Sequence, residues 1–247
     1  MLSRTSRAFH PMADRHLYQD LPYMVSGCRK TVACLSILSE HQHHASLVRN
    51  FQVILFSHDN FLRNTIALLF RALARMDRLQ SLGITTHGAG TGRIGLLEAL
   101  HPEARLSTLC LALRELDTTQ LVQWLTSRPS ITSLSITSLP HTFVLPRSVL
   151  PNLHSVKGEA IVLQGIVCGR PVREVTVWLQ GPLRTMVTLR SSTVIQKLVL
   201  QGLLMAPPEC ETIQELLECF LVVAPQISSL TINVGIKQPF NNQVTKF

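Results

Sequence analysis

The chain has 247 residues, of which 46% are hydrophobic and only 15% are charged. So apolar a composition excludes an intrinsically disordered polymer, and the length suits one large domain or a domain with an appendage. The net charge of +8 is scattered along the chain, and aromatic residues make up only 5%. This argues against nucleic-acid binding, which needs concentrated positive charge and aromatic rings on which bases stack.

No apolar run reaches the roughly 20 residues needed to cross a bilayer, and no secretory signal is recognisable, so no membrane association is expected. The six cysteines form no Cys-x-x-Cys pair, and several lie among apolar residues. This usage is typical of reduced, mostly buried thiols. These features predict a cytoplasmic or nuclear protein.

Residues 1–44 are predicted to form a helical segment in front of the main domain. Its first ten residues are rich in arginine and serine, a pattern found in transit peptides and, more commonly, at ordinary basic helix starts. The imidazole cluster His41-Gln-His-His44 is of a kind that can bind metal ions. Because Glu40 is the only other ligand type at suitable spacing, we interpret the cluster as a solvated segment that closes a helix.

A six-residue pattern, apolar-x-x-apolar-x-apolar, recurs through residues 45–236, and we number its residues as repeat positions one to six. The copies begin at Val48, Leu79, Leu106, Ile131, Leu150, Val172, Ile195 and Ile227. They follow one another at 19 to 32 residues, mostly near the ~20–29 residues of leucine-rich repeats. Residues 45–236 are therefore predicted to form a leucine-rich-repeat domain, with a C-terminal tail at 237–247.

The alternation of apolar and polar residues at positions four to six predicts strands that bury one face. A doubly wound sheet would instead have continuous apolar strands, because helices cover both of its faces. The predicted fold is an α/β leucine-rich-repeat solenoid, a curved parallel sheet with helices and loops on its convex side. Helical periodicity predicts helices at 64–76, 118–126 and 211–223, the second of them capped by its threonines.

Polar residues at the outward strand positions should line the concave face of such a sheet. Most of them are serine or threonine, which fits either a partner-binding surface or the ordinary preference of threonine for a solvated strand. The candidate partner-binding residues are Ser81, Thr108, Ser133, Ser135, His154, Thr176, Lys197, Ser229 and Thr231.

An alternative function is suggested by a G-x-G-x-x-G at Gly90, Gly92 and Gly95, with Glu115 and Asp117 about 20 residues further on, as in dinucleotide-binding folds. The preceding strand is half polar, however, and Pro102 ends the following helix early. We therefore interpret the glycines as a loop between a strand and a helix. A nucleotide-binding enzyme that uses this loop is kept as the alternative.

No G-x-S-x-G elbow, H-E-x-x-H helix or G-x-x-x-x-G-K-[ST] loop occurs in the sequence. No catalytic, cofactor-binding or metal-binding residue is predicted, and we expect a protein that is not an enzyme. Its partner is expected to be another protein.

The N-terminal residues resemble the last helix of an F-box and the link after it, in which a serine-arginine-x-phenylalanine stretch precedes a leucine-tyrosine and an aspartate. The matching residues here are Ser6, Arg7, Phe9, Leu17, Tyr18 and Asp20. The segment from Ala45 to Phe51 is similar to the start of the repeats in F-box-like leucine-rich-repeat proteins that are common in mushroom-forming fungi.

This resemblance implies that the F-box docks an adaptor subunit of a cullin-RING ubiquitin ligase while the repeats hold a substrate. The opening half of the F-box, with its Leu-Pro pair, is absent before Met1. We therefore expect either a truncated F-box, in a degenerate relative, or a gene whose true start lies upstream.

Overall fold

The structure is a computed structural model that describes residues 9–56, 62–87, 95–113, 117–137, 139, 143–179, 195–205 and 227–237. The chain divides into two compact units, Met1–Leu153 and His154–Phe247. The repeats expected over residues 45–236 are thus distributed over both units. Residues 238–247 of the expected tail lie outside the described residues.

The first unit contains five strands, all parallel and hydrogen-bonded in chain order. They are β1 (Asp20–Val25), β2 (Asn50–Phe56), β3 (Ser81–His87), β4 (Thr108–Ala112) and β5 (Ser133–Thr137). The second unit contains four more strands, again parallel and paired in chain order. These are β6 (Ser155–Glu159), β7 (Glu174–Leu179), β8 (Lys197–Met205) and β9 (Ser229–Lys237).

Helices separate many of these strands, so the fold is a mixed α/β one, as predicted. The first unit has α1 (His10–Tyr18), α2 (Arg29–Glu40), α3 (Gln42–Leu47), α4 (Leu62–Leu73), α5 (Gly95–Glu98) and α6 (Thr118–Thr126), and the second has α7 (Ala160–Val167). Among the described residues, no helix combines the length and the apolar character that a bilayer crossing requires. The helix predicted at 211–223 lies outside the described residues.

The predicted helix at 118–126 is confirmed, but its cap is not a threonine. The Asp117 carboxylate accepts hydrogen bonds from the backbone N–H groups of Thr119 (2.9 Å) and Gln120 (3.1 Å). This satisfies two of the N–H groups that a helix start leaves without intrahelical partners. The helix predicted at 64–76 corresponds to α4, and its buried side includes Leu69 and Leu73.

The core lies on the side of the strands that carries repeat positions four and six. Position-four residues pair across four strands of the first unit, Phe51 with Leu82, Leu82 with Leu109 and Leu109 with Leu134, and all four are at most 1% exposed. A slip of one residue would move every one of these side chains to the other face. Burial of the apolar set therefore fixes the register.

Backbone hydrogen bonds repeat in step with the sequence. The carbonyl oxygen at position two of one repeat accepts from two successive N–H groups of the next, as when Arg49 O accepts from Gln80 N (2.8 Å) and Ser81 N (2.9 Å). The other accepting oxygens belong to Gln19, Gln80 and Ser107 in the first unit and to His154, Arg173 and Gln196 in the second. The same bond therefore links successive turns of the chain in both units.

This bond also corrects the fifth copy of the sequence pattern. Its strand begins at Ser155, and Val156 pairs with Val175 at position four. Leu153, predicted at position four, therefore occupies position one, and the sequence copy was placed three residues too early. The reason is that Gly158 stands at position six, where the apolar residue used to find the pattern is missing.

The expectation of a purely helical segment before residue 45 is wrong for β1. This strand pairs with β2 through Asp20–Asn50 and Leu21–Phe51, then shifts register before Met24. Pro22 lies within that irregularity, and Tyr23 has a positive φ of 54°. Proline cannot donate to a strand ladder and is confined to edges and bulges, so the sequence pattern of a strand is hidden here.

Two further expectations differ from the structure. Leu230 and Ile232 in β9 are 37% and 42% exposed, because among the described strands β9 has a neighbour on one side only. Cys28 and Cys168 are exposed rather than buried.

The strand order in each unit also contains no reversal among the described strands, whereas doubly wound sheets bind nucleotides where the order reverses.

Candidate functional site

The open face of the first unit is the side of β2–β5 opposite the core. It carries repeat positions three and five and the residue that follows position six, which we number position seven. All nine predicted partner-binding residues were expected at position three or five, and all but His154 occupy those positions in register. In the first unit these are Ser81, Thr108 and Ser133 in one row, with Ser135 beside Cys110 in the next. All four predicted residues are half-buried. The structure therefore brings the predicted residues of this unit together on one surface.

Ser135 is the exception in its accessibility. Its hydroxyl oxygen is fully covered and has no hydrogen-bond partner among the described residues. A partner bound to this face would meet the neighbouring side chains before it reached this oxygen. Ser135 therefore contributes to the shape of the open face, but its hydroxyl group does not contact a partner directly.

One end of this open face carries an aromatic pair that the sequence reasoning missed. The ring of Phe56 stacks on the imidazole of His87, with centroids 5.1 Å apart and planes inclined by 20°. The two residues pair in register at the ends of β2 and β3, and both are exposed. Rings at an exposed position are typical anchors of protein interfaces. Along β2, the buried residues Phe51, Val53 and Leu55 alternate with residues on the open face. This alternation places Phe56 on the open face and could have identified it from the sequence.

In the second unit the open face carries charged residues as well as threonines. Lys197 lies 3.9 Å from the Glu174 carboxylate of the adjacent strand, and both side chains are about half exposed, 49% and 47%. The Lys157 ammonium lies 5.1 Å from the centroid of the Trp178 ring. A cation near a half-buried indole such as this one gains a modest attraction from the ring's π-electrons.

The predicted residues of the second unit fall on this face with one correction. Thr176, Lys197, Ser229 and Thr231 occupy positions five, three, three and five of their strands. His154 does not belong to the face. It precedes β6 at position two, where its carbonyl oxygen accepts from Arg173 N and Glu174 N. Ser155 and Lys157 occupy positions three and five of β6 instead, because this copy begins three residues later than the sequence pattern predicted.

Of the glycine motif and its two acidic residues, the structure describes Gly95 and Asp117. Gly90, Gly92 and Glu115 lie outside the described residues. Gly95 begins α5, which has four residues, and the Asp117 carboxylate is occupied as the cap of α6. A ribose-binding acid would need that carboxylate, and a dinucleotide fold would need a longer helix at that point.

His41, Gln42 and His43 are exposed, and His41 is the C-cap of α2, so the prediction of a solvated segment that closes a helix is confirmed for these residues. His44 is half-buried and packs against α1. His44 contacts the Tyr18 ring, with centroids 4.7 Å apart, and its Nε2 lies 3.8 Å from the carboxylate of the buried Asp14. Asp14 also pairs with His10 Nδ1 at 2.9 Å. Burial lowers the pKa of His44, with Asp14 opposing this and His43, His41 and His10 adding to it. Among the described residues, no group of three or more His, Cys, Asp or Glu is arranged to hold a metal ion.

Comparison of the chain with protein-family models, with curated proteins and with solved structures gives no match.

Proposed function

We propose that the chain is a non-catalytic protein–protein interaction module, built as a leucine-rich-repeat solenoid, that binds a protein partner on its open face. The observation that carries the proposal is the strict separation of the two sides of the strands. Positions four and six form the core in β2–β8, apart from Gly158, whereas positions three, five and seven present mostly polar side chains in aligned rows. Repeated polar rows of this kind form extended binding surfaces in solenoid proteins.

The composition of the open face supports a protein as the partner. Its small hydroxyl and amide side chains adapt their hydrogen bonds to many groups, and Phe56 and Trp178 supply apolar area at its exposed parts. Aromatic anchors surrounded by near-neutral polar contacts are characteristic of interface hot spots.

Within this role, we propose substrate recognition for a ubiquitin ligase, or descent from such a component. The resemblance of the N-terminal residues to an F-box supports this. Helix α1 and its N-cap residue Phe9 support it further, because Phe9, Met12 and Leu17 are 57%, 69% and 60% exposed. Adaptor docking buries apolar surface of this kind.

Photo-cross-linking tests the binding face. A photoreactive amino acid placed at Thr108 or Ser133, both on the open face of the first unit, should cross-link one and the same protein from an extract of the source cells. The same residue at Gln123 of α6 or Gln164 of α7, which are exposed helix positions, should give none of that product. Equal cross-linking from the helix positions would refute the proposal.

Adaptor binding is tested separately with purified proteins. Titration with a cullin-RING adaptor should give a complex that Phe9→Asp/Leu17→Asp weakens and that Val144→Asp leaves unchanged, since Val144 is equally exposed at 69% but lies outside α1. Absence of binding by the unaltered chain would remove the ubiquitin-ligase assignment without affecting the open face.

A further inference from the structure

A second surface lies in the first unit, in the segments that lead into the strands. There the loops before β2, β3, β4 and β5 line an open groove of about 910 Å³, within the roughly 300–1,000 Å³ of ligand pockets. We call it the arginine groove, because its lining includes Arg49, Arg78, Arg105 and Arg128. None of these residues belongs to the open face.

The arginines of this groove recur with the repeat. Arg78 and Arg105 each stand immediately before the position-one leucine of their repeat, Leu79 and Leu106. Stacking of successive repeats therefore places them side by side along the groove. Asp77 and Glu103 are the acidic residues of the lining, so positive charge is in excess. Among the described residues, no ion pair within 4.0 Å joins these arginines to a carboxylate.

Arg128 is held rigidly in the groove. Its Nη1 donates to Pro102 O (2.9 Å) and Ala104 O (3.2 Å), and its guanidinium lies 5.8 Å from the Trp124 ring centroid. Trp124 is fixed in turn by donating to Leu97 O at 3.0 Å. Burial lowers the pKa of Arg128, but a guanidinium stays protonated in proteins. A half-buried cation held in place by hydrogen bonds is a favourable partner for an anion.

Donors and one acceptor remain unused in the groove. The Nε of Arg128 and the Oδ1 of Asp77 are buried and have no hydrogen-bond partner among the described residues. Buried polar atoms are normally paired, and an unpaired one costs free energy. The Arg78 and Arg105 side chains are exposed and donate no hydrogen bond to the described residues. The groove thus offers the exposed guanidinium donors of Arg78 and Arg105 to a ligand.

An acidic peptide matches this combination. Its carboxylates can pair with guanidinium groups in bidentate fashion. A nucleic acid matches less well, because its phosphates would meet Asp77 and Glu103, and the lining contains no aromatic ring on which a base could stack. We propose that the arginine groove binds an acidic, extended segment of a protein, contacting Arg78, Arg105 and Arg128.

Fluorescence anisotropy with a labelled ten-residue polyglutamate peptide tests this site. The full chain should bind the peptide, and Arg78→Gln/Arg105→Gln should weaken binding about tenfold, a loss of ~1.4 kcal/mol. The matched control is Arg29→Gln/Lys30→Gln, which removes the same charge from exposed residues of α2 outside the groove and should change affinity less than about twofold. Thermal melts of each variant establish that it is folded.

Three outcomes would overturn the proposal. Equal losses in the two double variants would show attraction to net charge alone. Unchanged binding by Arg78→Gln/Arg105→Gln would show that the peptide does not bind in the arginine groove. Tighter binding of a ten-nucleotide single-stranded DNA than of the peptide would replace the acidic protein segment with a nucleic acid. If the glutamine pair fails to fold, Arg78→Lys/Arg105→Lys keeps the charge, loses the bidentate geometry and should still weaken binding measurably.

Discussion

The side chain of Gln52 fills the space beside the backbone of Gly83. The two residues pair across β2 and β3 at position five of their repeats, and a Cβ on residue 83 would lie 2.9 Å from Gln52 Cγ. Atoms do not approach this closely without displacement. The glycine is therefore required by a neighbour on the open face rather than by a turn.

Gly83→Ala should destabilise the first unit by about 1–3 kcal/mol, because Gln52 must shift to admit the methyl group. In a Gln52→Ala background the same substitution should cost less than about 0.5 kcal/mol, since the obstruction is gone and alanine restricts the unfolded chain. Chemical denaturation of the four proteins of the cycle measures both values. A cost independent of residue 52 would show that the clash does not exist.

The two faces of the strands should respond differently to truncation. Leu198 is 2% exposed at position four of β8, so Leu198→Ala should lower the free energy of unfolding by about 2–5 kcal/mol. Ser133 is half-buried at position three of β5, and Ser133→Ala should change it by no more than about 0.5 kcal/mol. Denaturant titration compares them, and equal effects would mean that the strand register is wrong.

Asp117 should contribute to the stability of α6 as its cap. Asp117→Ala should cost about 0.5–2 kcal/mol, because two backbone N–H groups lose their acceptor. Asp117→Asn retains a capping oxygen and should restore most of that loss. Thr118→Ala, at the first helical residue, is the control and should have little effect. If Thr118→Ala lowered the free energy of unfolding more than Asp117→Ala, the threonines rather than Asp117 would be the cap of α6.

The buried environment of His44 should make stability sensitive to acid. The folded-state pKa of His44 lies below its usual 6.5, so between these two values the unfolded chain binds more protons. Stability contributed by neutral His44 is complete above the unfolded pKa and is lost as the pH falls through that window. Urea denaturation from pH 7.5 to 5.5 should show a smaller decline for His44→Gln than for the unaltered chain. An identical pH dependence would contradict the assignment to His44.

The sequence predicts most of the strands because burial of one face imposes an alternation that is visible in single residues. Phe51, Leu82, Leu109, Leu134 and Leu198 all occupy the core positions predicted for them. The prediction fails where a non-apolar residue takes the place of an expected one. Gly158 moves the fifth copy out of place, and with it His154.

The remaining differences depend on contacts between residues distant in sequence. Pro22 interrupts the sequence pattern of a strand in β1, which is a strand because it pairs with β2. The packing of His44 on Tyr18 and Asp14 joins two helices and cannot be read from a local cluster of histidines. The arginine groove likewise forms only when four repeats stack, although the placement of Arg78 and Arg105 before equivalent leucines was present in the sequence.

Cysteine labelling along β5 tests most directly whether one face of the strands is core and the other is open. In a background in which serine replaces every native cysteine except Cys110, single cysteines would replace Ser133, Leu134, Ile136 and Thr137 in turn. Cys110 of the open face would serve as an internal reference, and reaction with a maleimide would be timed under native conditions. We expect rapid modification at residues 133 and 137 and strong protection at 134 and 136, because the latter are only 1% exposed. Uniform rates along the strand, or protection at 133 and 137 instead, would contradict the account.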